Sequence, residues 1–316
     1  MLTVLPIGSA LDPVPTFRLV DSGATGSELN LGLDSAGNIF VGGWNAVARS
    51  TDDGATWTLH GTIPAITFAA DRVLVVDKDT GRVFVDDTTL GCTILSWSDD
   101  QAQTWTTNPL ACGGGATDHQ KIAVGRPVTL PATPLYPNLV YVCANGLSHT
   151  DCGVSNDGGL TFLTTAPHGV GCAFQGAPIS DAAGNLFEPT SQCGLKVRRN
   201  IQNGLAQWQE FTVTTASSTD APDLTATPDG TLYLVHTGLD WKPQLWRSTS
   251  HGLSWTGPYA IPVPGLVSAA FPVVVAGANG RIAISFYGST TDALGWDHNP
   301  GTAPATTRWE GYVAVV

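Results

Sequence analysis

The stretch Ser50-Thr51-Asp52-Asp53-Gly54-Ala55-Thr56-Trp57 decides the fold, because it returns along the chain. A second copy reads Ser155-Asn156-Asp157-Gly158-Gly159-Leu160-Thr161-Phe162. Two weaker copies run from Ser98 to Trp105, with Ala102 in the Gly place, and from Ser248 to Trp255, with Ser250 in the Asp place. A trace survives at Asn203-Gly204 and Trp208. An Asp side chain at a tight turn accepts backbone N–H bonds, Gly supplies a positive φ, and the aromatic residue packs apolar surface into the sheet. Each stretch is therefore expected to staple a hairpin rather than to carry chemistry.

Working outward, each copy follows an apolar strand, an Asp/Gly/Asn turn and another apolar strand. Examples are Leu31 to Phe40 around Gly37, Val73 to Phe84 around Gly81, and Ile179 to Phe187 around Gly184. Leu224 to Leu234 and Val273 to Phe286 repeat the pattern, and Lys121–Val124 with Leu139–Val142 form a looser unit. Six units roughly 40–60 residues apart predict an all-β, six-bladed propeller of four-stranded antiparallel blades. The last unit ends one strand short, so Thr3–Ile7 or Thr16–Val20 is expected to close the ring and cover two sheet edges. The expected domain is single and spans residues 1–316.

Composition narrows the partners. The 316 residues carry a net charge of −12 and only 13% charged side chains. That balance excludes the clustered Lys and Arg that nucleic acid or an anionic membrane surface requires. No apolar run approaches the roughly 18 residues of a membrane span. Residues 1–15 lack the features of a signal peptide, so either a leader is missing from this chain or the protein is cytosolic. The cysteines favour an extracellular protein. There are six, Cys92, Cys112, Cys143, Cys152, Cys172 and Cys193, and six cysteines permit 15 pairings. Placed on the propeller frame they fall in loops at one face, and the expected bridges are Cys92–Cys112, Cys143–Cys152 and Cys172–Cys193.

The same frame collects polar side chains at one mouth of the channel, where first strands begin and second strands end. First strands are expected to bring Glu28, Asp71, Arg72, Asp118, His119, Gln120, Gln175, Asp220 and Asp223. Second strands bring Trp44, Asp86, Asn145, Glu188, His236 and Tyr287. Trp44, Trp241 and Trp296 are candidates for stacking on sugars.

The repeated stretches resemble the Asp-box, or bacterial neuraminidase, repeat of the sialidase-like superfamily. The resemblance covers nearly the whole chain and implies a secreted propeller that acts on or recognises extracellular carbohydrate. It also implies an arginine triad, a Tyr nucleophile paired with Glu, and an Asp acid/base. This chain departs from that pattern. The family's Arg-Ile-Pro motif has only an echo in Phe17-Arg18-Leu19, and Ala270-Phe271-Pro272 stands where the nucleophilic Tyr is expected. Phenylalanine has no hydroxyl, so a true sialidase is not expected.

Other glycan chemistry stays open. Hydrolysis needs two carboxylates about 5–9.5 Å apart, which Asp71, Asp118 and their acidic neighbours would supply. Proton abstraction in a polysaccharide lyase would use His119 or His236 with Tyr287. Arg18, Glu28, Trp44, Arg72, Gln120, Glu188, Asp223 and His236 are the candidate substrate contacts. No cofactor is expected beyond a structural Ca²⁺, which the mouth acids suit. The alternative is a non-catalytic propeller that binds a glycan or surface protein, or that joins an extracellular assembly through Val313–Val316.

Overall fold

A computed structural model describes residues 3–6, 17–26, 29–44, 46–61, 63, 70–89, 91–111, 118–129, 135–172, 175–205, 207–216, 220–277, 280–291 and 307–315, without the side chains of 3–6, 70 and 71. Hairpin follows hairpin, and six four-stranded sheets form a ring. The first blade holds β2 (Asn30–Leu33), β3 (Ile39–Gly42), β4 (Ala46–Ser50) and β5 (Thr58–Gly61). The second holds β6 (Ala70–Val76), β7 (Val83–Thr89), β8 (Cys92–Ser98) and β9 (Thr106–Asn108). In the third are β10 (Asp118–Gly125), β11 (Leu139–Asn145), β12 (Thr150–Ser155) and β13 (Leu163–Thr164). The fourth contains β14 (Ile179–Ser180), β15 (Leu186–Thr190), β16 (Leu195–Asn200) and β17 (Gln209–Thr214). In the fifth, β18 (Asp223–Ala226), β19 (Leu232–Thr237), β20 (Pro243–Ser248) and β21 (Thr256–Ala260) follow one another. The sixth holds β22 (Ser268–Ala276), β23 (Ile282–Ser289) and β24 (Glu310–Val315). Its fourth strand is β1 (Thr3–Pro6), which lies parallel to β24 with Val4 opposite Val313.

The repeated turns share one bond pattern. Ser50 Oγ donates to Asp52 Oδ1 at 2.8 Å and accepts the Gly54 N–H at 2.9 Å. Asp52 then accepts the Thr56 N–H at 2.8 Å and its hydroxyl at 2.7 Å. Ser98 and Asp100 repeat the set with Ala102 and Thr104, and Ser155 and Asp157 with Gly159 and Thr161. In the fourth copy the Ser250 hydroxyl accepts the Ser254 N–H at 3.0 Å, replacing the carboxylate with a weaker acceptor. The turn position has φ +77° at Gly54 and +71° at Ala102, so the second copy holds a left-handed alanine where glycine is favoured.

Four of the turn aromatics do not pack within their own blade as expected; each seals the seam to the preceding one. Trp105 joins Phe40, Val47 and Leu74 between the first and second blades. Phe162 joins the core between the second and third, Trp208 that between the third and fourth, and Trp255 that between the fourth and fifth. The turn sits at the end of the outer hairpin, where its indole reaches past the sheet edge. Ile284, Phe286 and Tyr312 fill the fifth seam against Val235 and Leu245.

The sixth seam differs. Among the described residues no core cluster and no comparable strand packing joins the sixth blade to the first. Gly32 and Gly42 press against Leu74 and Val76 of the second blade, so Leu31 and Leu33 face the other way. They are 62% and 41% exposed. On the facing side of the sixth blade, Val273 and Val275 are 51% and 59% exposed. Trp57, the turn aromatic of the first blade, belongs to no described core cluster. Among the described residues, apolar side chains of both blades are uncovered along this seam.

Candidate functional site

Three first strands enter the channel through the same irregularity. Register shifts fall between Ala70 and Val73, between Asp118 and Lys121, and between Ala270 and Val273. Bulges of this kind re-aim side chains. The second residue of each bulge is Asp71, His119 or Phe271, and the last two adopt φ of +55° and +51°. Left-handed backbone at bulky residues is costly and marks a constrained position. The third residue turns inward: Arg72, Gln120 and Pro272 are all buried.

That inward turn settles what Arg72 does. Its Nε and Nη2 meet Asp87 at 2.7 and 2.9 Å, and Nη1 donates to the carbonyls of Gly43 and Trp44. Arg72 is 6% exposed and Asp87 1%. Asp87 was not foreseen from the sequence; the Asp86-Asp87 doublet after an apolar strand was the available signal. Asp86 is also fully buried, and burial pushes its pKa well above the carboxylate range. Gln120 accepts the Thr88 hydroxyl across the second seam.

Glu188 and His236 were expected at the mouth and are instead interior. Glu188 is unexposed, and Arg198, its cross-strand partner, donates to it at 2.6 Å. His168 lies 2.8 Å from its other oxygen and stacks on Trp208. Burial would raise the Glu188 pKa, but these two partners outweigh it and hold it low. Arg198 also donates to the Cys172 carbonyl, so its guanidinium is a buried tie between the fourth blade and the loop that precedes it. His236 is 1% exposed and accepts the Trp246 indole N–H at 3.2 Å. Burial lowers its pKa to about 4.

The positions that stay open are fewer. Asp118 is exposed, opposite Asn145 in the ladder. Tyr287 is 53% exposed and Trp44 55%, and Arg18 is exposed ahead of the first blade. His119 reaches the Gln175 backbone; burial, then Lys121, lowers its pKa to about 4, keeping the imidazole neutral above that pH. The Gln175 amide is buried and finds no hydrogen-bond partner among the described residues. Asp220 accepts the Thr237 hydroxyl at 2.7 Å and the Phe271 N–H at 3.1 Å. Asp223 accepts the Val274 N–H at 2.7 Å, feels Lys121 of the third blade, and is raised by burial to about 7. The third and sixth blades stand opposite in a ring of six, so His119 and Tyr287 face each other across the channel rather than sharing a wall.

Glu28, Cys112, Trp296 and the side chain of Asp71 lie outside the described residues. The bridges Cys143–Cys152 and Cys172–Cys193 form as expected. Cys143 and Cys152 do not sit in loops, however: β11 and β12 extend past them, and they face each other as a cross-strand pair. Cys92 opens β8 and is disulfide-bonded; its expected bridge to Cys112 lies outside the described residues. Among the described residues, the one close group of metal-ligand type is Cys143, Cys152 and Glu188, whose sulfurs are already paired. The described mouth acids are not gathered into a cation cage.

No family model matches the sequence, and no curated protein matches it. Solved structures do. The leech intramolecular trans-sialidase shares 10% identity over 95% of this chain and 70% of that one, with a TM-score of 0.57. The likeness is one of fold, a β-propeller. A Hadza microbial sialidase matches at 15% identity over 82% of this chain, with a TM-score of 0.51, and the chain spans 62% of its length. Aleuria aurantia lectin, solved with a fucosylated disaccharide, matches 90% of this chain and 94% of that one at 13% identity and a TM-score of 0.52. At these identities the sialidase-like propeller likeness extends to fold alone.

Proposed function

We propose that this chain is a secreted Asp-box propeller that recognises extracellular carbohydrate at its channel mouth and is not a sialidase. The observation that carries the second half is the Arg72–Asp87 pair. A sialic acid carboxylate needs free bidentate guanidinium groups, and Arg72 spends its fork on Asp87 inside the protein. Phe271 at the bulge of the sixth blade offers no nucleophilic oxygen. Sialidases and a lectin share the fold, which supports carbohydrate as the ligand class.

Any chemistry at the mouth falls to Asp71, Asp118, His119 and Tyr287. A neutral His119 would accept a proton, and a carboxylate pair would serve hydrolysis. Two assays test the proposal together: release of a fluorescent leaving group from a sialoside, and binding to an array of neutral and acidic oligosaccharides. Saturable binding without sialoside turnover is expected. Sialoside turnover above background would overturn the second half, and an array without binding would overturn the first.

A further inference from the structure

The turn that joins β19 to β20 carries a carboxylate and an ammonium two residues apart, Asp240 and Lys242. Gly238 accepts the Trp241 N–H at 2.9 Å and donates to the Lys242 carbonyl at 2.9 Å. The Trp241 carbonyl accepts from Ala269 at 2.8 Å, which fastens the turn to β22. Asp240 Oδ1 accepts the Lys242 N–H at 3.2 Å and the Gln244 amide at 3.3 Å. A second turn, closed by the Leu266 N–H on the Val263 carbonyl at 3.2 Å, leads from β21 to β22. The two turns enclose a cavity of about 260 Å³ on the rim of the fifth blade. Its walls are aliphatic, from Pro243, Pro258, Ile261, Pro262, Val263 and Leu266. Three of those six are prolines, whose fixed φ makes the wall stiff.

Both charges line that cavity, and they do not close on each other. Lys242 donates to the carbonyls of Leu266 and Val267. An ammonium has three donors, and among the described residues the third finds no acceptor. Burial lowers the Lys242 pKa and the nearby Asp240 charge pulls it back up, so the two groups feel one another. No ion pair joins them among the described residues, because the backbone carbonyls hold the ammonium aside. Asp240 keeps its second oxygen without a donor among those residues. A positive and a negative group set apart at one end of an aliphatic cavity match a ligand with the reverse dipole and an apolar tail. No aromatic ring lines the cavity among the described residues, so the flat faces on which sugars stack are missing. The volume lies below the roughly 300–1,000 Å³ of drug-sized pockets, which limits the occupant to a molecule of amino-acid size.

We propose that this cavity binds a free α-amino acid with an aliphatic side chain, its carboxylate on Lys242, its ammonium on Asp240 and its side chain against Pro243, Pro258 and Ile261. The site is separate from the channel mouth and stands whether or not the mouth binds carbohydrate. The test is calorimetric titration of the disulfide-intact full chain with L-leucine, N-acetyl-L-leucine, L-leucinamide, glycine and glucose. The acetyl group removes the ammonium, the amide removes the carboxylate, and glycine lacks the side chain. Glucose is a small uncharged sugar. Leucine should bind, and each of the other four should bind at least about tenfold more weakly. Asp240→Asn keeps a side-chain oxygen for the turn and should weaken leucine about tenfold. Lys242→Met keeps the aliphatic stem and should weaken it as much, with melting temperatures measured on both variants to confirm folding. Leucine failing to bind would overturn the proposal. So would any of the other four matching leucine, or leucine binding unchanged in folded Asp240→Asn protein.

Discussion

At the residue scale, small hydroxyls and buried ion pairs do the holding. Ser155 Oγ accepts the Gly159 N–H and donates to Asp157, and the residue is 1% exposed. Ser155→Ala should therefore cost about 1–2 kcal/mol in chemical denaturation, with an equal cost for Ser98→Ala. Asp87→Asn leaves the buried Arg72 guanidinium without its counter-charge and should cost about 3–5 kcal/mol. Two other buried groups set the acid response with opposite signs. His236 has its pKa lowered to about 4 from the ordinary value of 6.5, so the unfolded chain binds its proton first and stability falls as pH drops through that window. Asp223 is raised to about 7, so the folded protein binds its proton first and stability rises as pH drops from 7 towards 4. His236→Gln should flatten the acid loss between pH 6.5 and 4, and Asp223→Asn should steepen it. Denaturation midpoints across that range check both, and equal slopes in the two variants would contradict the assignment.

At the element scale, strand order and turn chemistry were legible because the Ser-x-Asp turn is local: every partner lies within four residues. The six units followed from that period, and of the two closing segments expected, Thr3–Ile7 and Thr16–Val20, it is Thr3–Pro6 that pairs with β24. The site was less legible, since its geometry depends on long-range register. Nothing local marks Glu188 as the partner of Arg198 or Arg72 as the partner of Asp87; those pairs arise when β15 meets β16 and when a bulge shifts β6 against β7. The reach of Trp105, Phe162, Trp208 and Trp255 into the preceding seam is likewise a property of the ring. This has a measurable consequence. Leu234, unexposed in the fourth seam, should cost about 2–5 kcal/mol as Leu234→Ala. Leu31→Ser, on the first strand of the first blade, should cost less than about 1 kcal/mol because the side chain is already 62% exposed.

At the scale of the whole molecule, apolar cores fill five seams among the described residues, and two described disulfides gather on the third and fourth blades. The Cys172–Cys193 bridge spans 21 residues and holds the loop whose carbonyl accepts from Arg198. Its removal should cost about 3 kcal/mol on the loop-entropy scale, measurable as a lowered melting temperature. A separate cavity of about 260 Å³ lies at the edge of the fifth blade, lined by Lys242, Gln244, Pro258 and Ile261, and it competes with the mouth as a place for ligand. Hydrogen exchange with and without a bound oligosaccharide separates the two. Protection should appear at the channel mouth, at residues 42–44, 118–121 and 285–289. Protection confined to residues 258–266 would contradict the account, placing recognition on the outer rim of the ring.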